Sequence, residues 1–152
     1  IQHNDFNDMF GYSYEQLFQT MRQLRLTYPE AEQMFRRMVF NVLATNYDDH
    51  TKNFSFILQK DEKWRLAPAY DLCFSYSPTS HWVSQQTLSV NGKRLKISKD
   101  DLLTVAKENN IRKPAKVIDE VNAVVKNWNS YAKLAEVRAD LQKNIAEKHN
   151  VL

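Results

Sequence analysis

The ten residues Asn46-Tyr47-Asp48-Asp49-His50-Thr51-Lys52-Asn53-Phe54-Ser55 hold eight polar or ionisable side chains. Burying them without partners would strip water from charges that nothing replaces, so the segment is either an exposed connector or a rigidly supported site. Asn53 follows Asp48 by five positions. A further acid, Asp71, stands 18 residues beyond Asn53, in Leu66-Ala67-Pro68-Ala69-Tyr70-Asp71-Leu72. Between them, the short apolar runs Phe54–Leu58 and Trp64–Leu66 flank a charged turn, Gln59–Lys63, and read as a hairpin. A hairpin returns Asp71 to the neighbourhood of Asn53. One carboxylate and one amide oxygen converging there are hard ligands of the kind Mg²⁺ takes, while it keeps waters or substrate phosphates. Asp48, one loop turn away, is placed to accept a hydroxyl proton.

Each of these residues has a plainer reading when taken alone. Asp48 and Asp49 would turn the chain after a helix by bonding their own backbone, Asp71 would be a turn residue after Pro68, and His50 a surface imidazole. Only the joint spacing favours chemistry. It selects Asp48 and leaves Asp49 as a structural residue. Tyr47, Trp64 and Tyr70 read as hairpin packing, and Cys73 as an inert small side chain.

The elements that position this stretch are legible from periodicity and caps. Tyr14, Leu17, Phe18, Met21 and Leu24 predict a helix ending near Leu26. Thr27 with Glu30 makes a capping box, Pro29 suits a first turn, and a core helix follows from Tyr28 to Ala44 with Met34, Phe35, Met38, Val39, Val42 and Leu43 on a wide apolar face. Leu88 and Val90 before Asn91-Gly92, with Leu95 and Ile97 after it, predict a second hairpin. Ser98 with Asp101 caps a helix to about Asn109. Pro114 opens a long helix with Val117, Ile118, Val121, Val124, Val125 and Trp128 inward, and a last helix covers Arg138 to Lys148. The expected class is mainly α with two small antiparallel β-hairpins (α+β), in a single domain over residues 1–152.

Composition narrows the function classes. The chain has 152 residues, 43% apolar, and 21 basic against 18 acidic side chains, enough to bury a core without disulfides or a structural metal. A lone Cys73 fits a reducing, cytoplasmic compartment. No apolar run approaches a membrane span, and no signal peptide opens the chain. The acids are interspersed among the lysines with no concentrated basic stripe, so direct nucleic-acid binding is not expected. The glycines are Gly11 and Gly92, far apart, which excludes a phosphate-cradling GxGxxG or GxxxxGK loop. An opening Ile1 in place of Met points to a processed product or a piece of something longer.

The pattern Asn-x-Asp-Asp-His-x-Lys-Asn-Phe-Ser followed by Trp-x-Leu-Ala-Pro-Ala-Tyr-Asp-Leu resembles the C-terminal kinase lobe of the HipA family, bacterial serine/threonine kinases that act as toxins in toxin–antitoxin systems. The resemblance covers about residues 30–130, continuing through Leu88–Lys93 and the helix after Ser98. It implies a protein-kinase-like C-terminal lobe, with Asp48 as catalytic base and Asn53 and Asp71 holding Mg²⁺ between the phosphates of ATP. His50, two places after the base, where ordinary protein kinases commonly carry Lys, would touch the γ-phosphoryl or orient Asp48. Lys52 would do the same or point to solvent. Further implications are an antitoxin partner of the HipB type, which carries the DNA-binding helices, a translation-related protein substrate and autophosphorylation.

The chain also departs from the kinase pattern. Leu72-Cys73 follows the metal Asp where ordinary protein kinases have Phe-Gly, so their activation-segment logic does not transfer. The N-terminal nucleotide lobe is missing, and the isolated chain is expected to be inactive. Two competing readings stay open. One is a catalytically inactive kinase-like lobe acting as an interaction module; the other is a lipid or small-molecule kinase, which the Ala67–Asp71 context disfavours.

Overall fold

Three reciprocal caps start three of the helices, and each is written in the sequence. Ser13 accepts from the Gln16 amide while Gln16 returns a bond to the Ser13 amide, and Thr27 with Glu30 and Ser98 with Asp101 repeat the device. In a computed structural model, which describes residues 11–152, they open α1 (Tyr14–Gln23), α2 (Tyr28–Leu43) and α3 (Lys99–Glu108). Between α2 and α3 lie β1 (Phe56–Leu58) and β2 (Trp64–Leu66); α4 (Pro114–Lys126), α5 (Trp128–Leu134) and α6 (Ala139–Lys148) follow. The architecture is mainly α with one small antiparallel hairpin, in register Phe56–Leu66, Ile57–Arg65 and Leu58–Trp64.

Helix α2 is the centre of the core. Its Met34, Phe35, Met38, Val39, Val42 and Leu43 are fully buried, against Phe18 and Met21 of α1 and Val117, Ile118, Val121 and Val125 of α4. Burial of this kind, at about 25 cal/mol per Å² of apolar surface, is the main force holding the helix in place. Its C-terminal end is tied down from far along the chain. The Asn150 amide donates to the Leu43 carbonyl at 2.9 Å, and the Thr45 hydroxyl donates to the Lys148 carbonyl at 2.6 Å. The polar loop thus leaves a fixed point. Among the described residues no helix is long and apolar enough to cross a membrane.

Two elements differ from expectation. The second hairpin is reduced to a turn closed by one bridge, Val90 to Lys93, with Asn91 and Gly92 at positive φ. Its first arm spends its hydrogen bonds elsewhere: the Ser89 amide donates to the Tyr12 carbonyl, the Tyr14 amide to the Ser89 carbonyl, and the Thr87 amide to the Tyr47 carbonyl. The long helix from Pro114 is two helices, broken at Asn127, which caps the end of α4 and the start of α5. Val124, expected to face inward, is 49% exposed within α4, and Trp128 packs against His149 while donating its indole N–H to the Gln142 carbonyl.

The turn at Asn91 is anchored by Asp101, which is 3% exposed and accepts from the Ser98 amide and hydroxyl, Asn91 Nδ2 and Lys93 Nζ, all within 2.9 Å. Burial alone would raise this carboxyl, but these donors outweigh it and hold it well below the usual carboxylate range. Asp101→Ala removes a helix cap and leaves those donors short of an acceptor. An expected loss of about 2 kcal/mol is measurable by urea unfolding.

Candidate active site

The site grows out of the C-terminal end of α2. Thr45 takes a positive φ of 57°, turning the chain out of the helix, and Asn46 to His50 run extended into one 3-10 turn, Thr51–Asn53, that leads to β1. The hairpin then returns the chain. The Ala67 amide reaches the Ser55 carbonyl at 3.0 Å, and the Tyr70 hydroxyl donates to the Lys52 carbonyl at 2.7 Å and pairs with the Ser55 hydroxyl. Asn53 and Asp71 are thereby brought to one narrow cleft, whose other walls include Arg37, Asn41, Asn46 and Tyr70. Its free space is of the order of one water molecule or a bare ion.

Asp48 and Asn53 are locked together: Asn53 Nδ2 donates to the Asp48 main-chain carbonyl at 2.9 Å. That bond commits the amide nitrogen and leaves Oδ1 as the atom suited to a cation. The Asp48 side chain is 43% exposed and lies outside the residues that line the cleft, with His50 Nε2 3.8 Å from its Oδ1. A proton acceptor open to an incoming hydroxyl needs such exposure. His50 is thus beside Asp48, while the Lys52 side chain is exposed and its carbonyl serves the hairpin. Asp71 is itself exposed, with φ at +54°, and Cys73 Sγ lies 3.9 Å from its Oδ1. Burial pushes the Cys73 thiol up, with Asp71 and Asp48 adding to the effect, which makes it a poor nucleophile.

Asp49 has a different task from its neighbour. It is fully buried and accepts from the Tyr14 hydroxyl at 2.6 Å, Gln86 Nε2 at 2.9 Å, and the Thr87 and Leu88 amides at 2.9 and 3.2 Å. Burial pushes its carboxyl up to about 6, and the four donors oppose a larger rise. Asp49 therefore pins the segment 46–53 to α1 and to residues 86–88. Tyr47 packs edge-on against Tyr76 at 5.3 Å between ring centroids, whereas Tyr70, expected to pack in the hairpin, is exposed and lines the cleft.

The donor set fits a magnesium–nucleotide pair. An acid and an amide oxygen share the cleft, and among the described residues no group of three or more His, Cys, Asp or Glu side chains forms a full protein cage. A cation held here would depend on water and phosphate for its remaining ligands, as Mg²⁺ does. Asn46 Oδ1 is buried without a hydrogen-bond partner on the same wall. Arg37, 6% exposed, donates through Nη2 to the Ala67 carbonyl at 2.6 Å while its buried Nε and Nη1 have no acceptor. The cleft thus offers oxygens to a cation and N–H donors to an anion. Sequence reasoning passed over Arg37 and Asn41. The available signal was two polar residues, four apart, on the apolar face of a core helix.

A protein of Haemophilus influenzae whose given name is "Putative kinase" is 39% identical over 67 residues, 43% of this chain and 19% of the relative. The chain therefore matches only about a fifth of that relative's length. The family described as HipA-like C-terminal domain matches residues 1–128, which span the polar segment 46–53, the hairpin and Asp71. With so much of the sequence matched, the chain belongs to the HipA-like C-terminal domain family.

Proposed function

We propose that this chain is the C-terminal lobe of an ATP- and Mg²⁺-dependent protein serine/threonine kinase of a toxin–antitoxin system. The observation that carries the reading is the meeting of Asn53 and Asp71 in one cleft across the hairpin, with Asn53 bonded to the main chain of Asp48. Asp48 takes the proton of an acceptor hydroxyl as its oxygen forms a bond to the γ-phosphorus; the bond to the bridging β–γ oxygen breaks and ADP leaves. His50, beside Asp48, orients the carboxylate. Asn53 and Asp71 would hold Mg²⁺, which supplies charge neutralisation at the phosphates. Lys52 would lie along the nucleotide. A nucleotide lobe outside this chain, a HipB-type antitoxin and a translation-related protein substrate complete the proposal, in the cytoplasm of a bacterium.

The test is transfer of γ-labelled phosphate to protein by the longest natural polypeptide that contains this segment, wild type beside Asp48→Asn, with and without Mg²⁺. Transfer that needs Mg²⁺ and falls 10²- to 10⁴-fold in the variant is expected for loss of a general base. Full activity in Asp48→Asn sinks the assignment of the base. No transfer by the folded wild type favours the alternative, an inactive kinase-like lobe that works as an interaction module.

A further inference from the structure

Four buried side chains form an unbroken hydrogen-bonded ladder that ends on the main chain of Asp71. Tyr14 Oη donates to Asp49 Oδ2 at 2.6 Å and accepts from Asn41 Nδ2 at 2.9 Å; Asn46 Nδ2 donates to Asn41 Oδ1 at 3.0 Å and to the Asp71 carbonyl at 3.3 Å. Tyr14, Asn41, Asn46 and Asp49 are each no more than 1% exposed. The ladder joins α1, α2, the catalytic-loop segment and the segment after β2. The orientation of the Asn46 amide is fixed by its two acceptors, because turning it over would set oxygen against oxygen at both.

We infer that Asn46 is a positioning residue which, braced through Asn41 and Tyr14, sets the place of Asp71 relative to Asn53. This rests on the reading of Asn53 and Asp71 as the cation's ligands. Asp71 needs such a brace: its side chain is exposed, and its backbone sits at φ +54°, a conformation that few non-glycine residues hold without support. The buried donor beneath its carbonyl supplies that support. Partners of this kind, one step behind a ligand, typically govern metal affinity by 10- to 100-fold.

The experiment is a Mn²⁺ titration of the ¹⁵N-labelled 152-residue chain, followed by paramagnetic broadening at the Asn53 and Asp71 amides, for wild type, Asn46→Asp, Asn46→Ala and Tyr14→Phe. Asn46→Asp decides between two roles, since it keeps an oxygen beside the cleft but removes the donor to Asp71. Weaker Mn²⁺ binding in Asn46→Asp and Asn46→Ala, by about 10-fold or more, is the expected result. Tyr14→Phe breaks the ladder away from the cleft by removing one hydroxyl; a smaller loss in the same direction is expected, and this variant carries the test if the Asn46 variants do not fold. Tighter binding in Asn46→Asp would make Asn46 a direct ligand and overturn the positioning role. Unchanged affinity in the folded variants overturns the inference while leaving the cation site standing, whereas absence of broadening at both amides in the wild type overturns the cation site and the inference with it.

Discussion

Truncating Asp49 to Ala is expected to cost about 5 kcal/mol, because the Tyr14 hydroxyl, the Gln86 amide and the Leu88 N–H lose their acceptor in the buried interior, and the Thr87 N–H keeps only the Tyr47 carbonyl. Domains of this size have roughly 5–15 kcal/mol in total, so the variant sits at the edge of folding. Asp49→Asn is expected to be much milder. Its Oδ1 still serves the two main-chain amides, and Gln86 Oε1, buried without a partner, becomes an acceptor when the Gln86 amide turns over. Urea unfolding followed by circular dichroism ranks the three proteins.

The same residue gives stability a pH dependence of definite sign. With its carboxyl near 6 in the folded state and near 3.9 when unfolded, the native protein binds the extra proton between those values. The contribution of Asp49 therefore falls as pH rises from about 4 to about 6, by about 3 kcal/mol, and is level above that. Asn at this position removes the slope. Asp101 works in the opposite sense: its depressed carboxyl contributes stability that is lost as pH falls below about 4. Unfolding curves for wild type and Asp49→Asn at pH 4.5, 6 and 7.5 separate the two. Equal slopes would show that Asp49 keeps its charge throughout.

The second large effect is on catalysis. In the longest natural polypeptide, Asp71→Asn is expected to lower phosphate transfer at least about 10³-fold at ordinary Mg²⁺ concentrations, since positioning and electrostatic stabilisation carry nearly all of this chemistry. Asn keeps one oxygen ligand and loses the charge. Raising Mg²⁺ should therefore restore part of the activity of Asp71→Asn and none of that of Asp48→Asn, for which the proposed loss is of the proton acceptor. Equal rescue of both variants, or of neither, would break the division of roles between them.

What the sequence makes legible here is local. Caps written over four residues place the starts of α1, α2 and α3, and the hairpin over Phe56–Leu66 follows from two apolar runs and a charged turn. The nearness of Asp71 to Asn53 comes with that hairpin. What stays hidden is long-range. Nothing near Asn91-Gly92 says that the amides of Thr87 and Ser89 will be taken by Tyr47 and Tyr12, so alternation and an Asn-Gly turn predict a hairpin that competing partners reduce to a single bridge. Periodicity carries a helix through Asn127, although the chain bends there to lay α5 and α6 together. Spacing separates Asp48 from Asp49, but the donors around Asp49 come from residues 14 and 86–88, and only the fold assembles them. Asn41 is hidden for the same reason: a polar residue on a core face shows its purpose only when its partner is known.

The positive φ of Asp71 sets selection for foldability against selection for turnover. Glycine would adopt that conformation without the steric penalty of a Cβ, and relief of roughly 1 kcal/mol is available there. A screen that scores thermal resistance or expression yield alone would accept Asp71→Gly and discard the carboxylate. Directed evolution of this lobe therefore has to score chemistry in every round, because, with Asp71 as the proposed cation ligand, the sturdier protein at this position is expected to be the inert one.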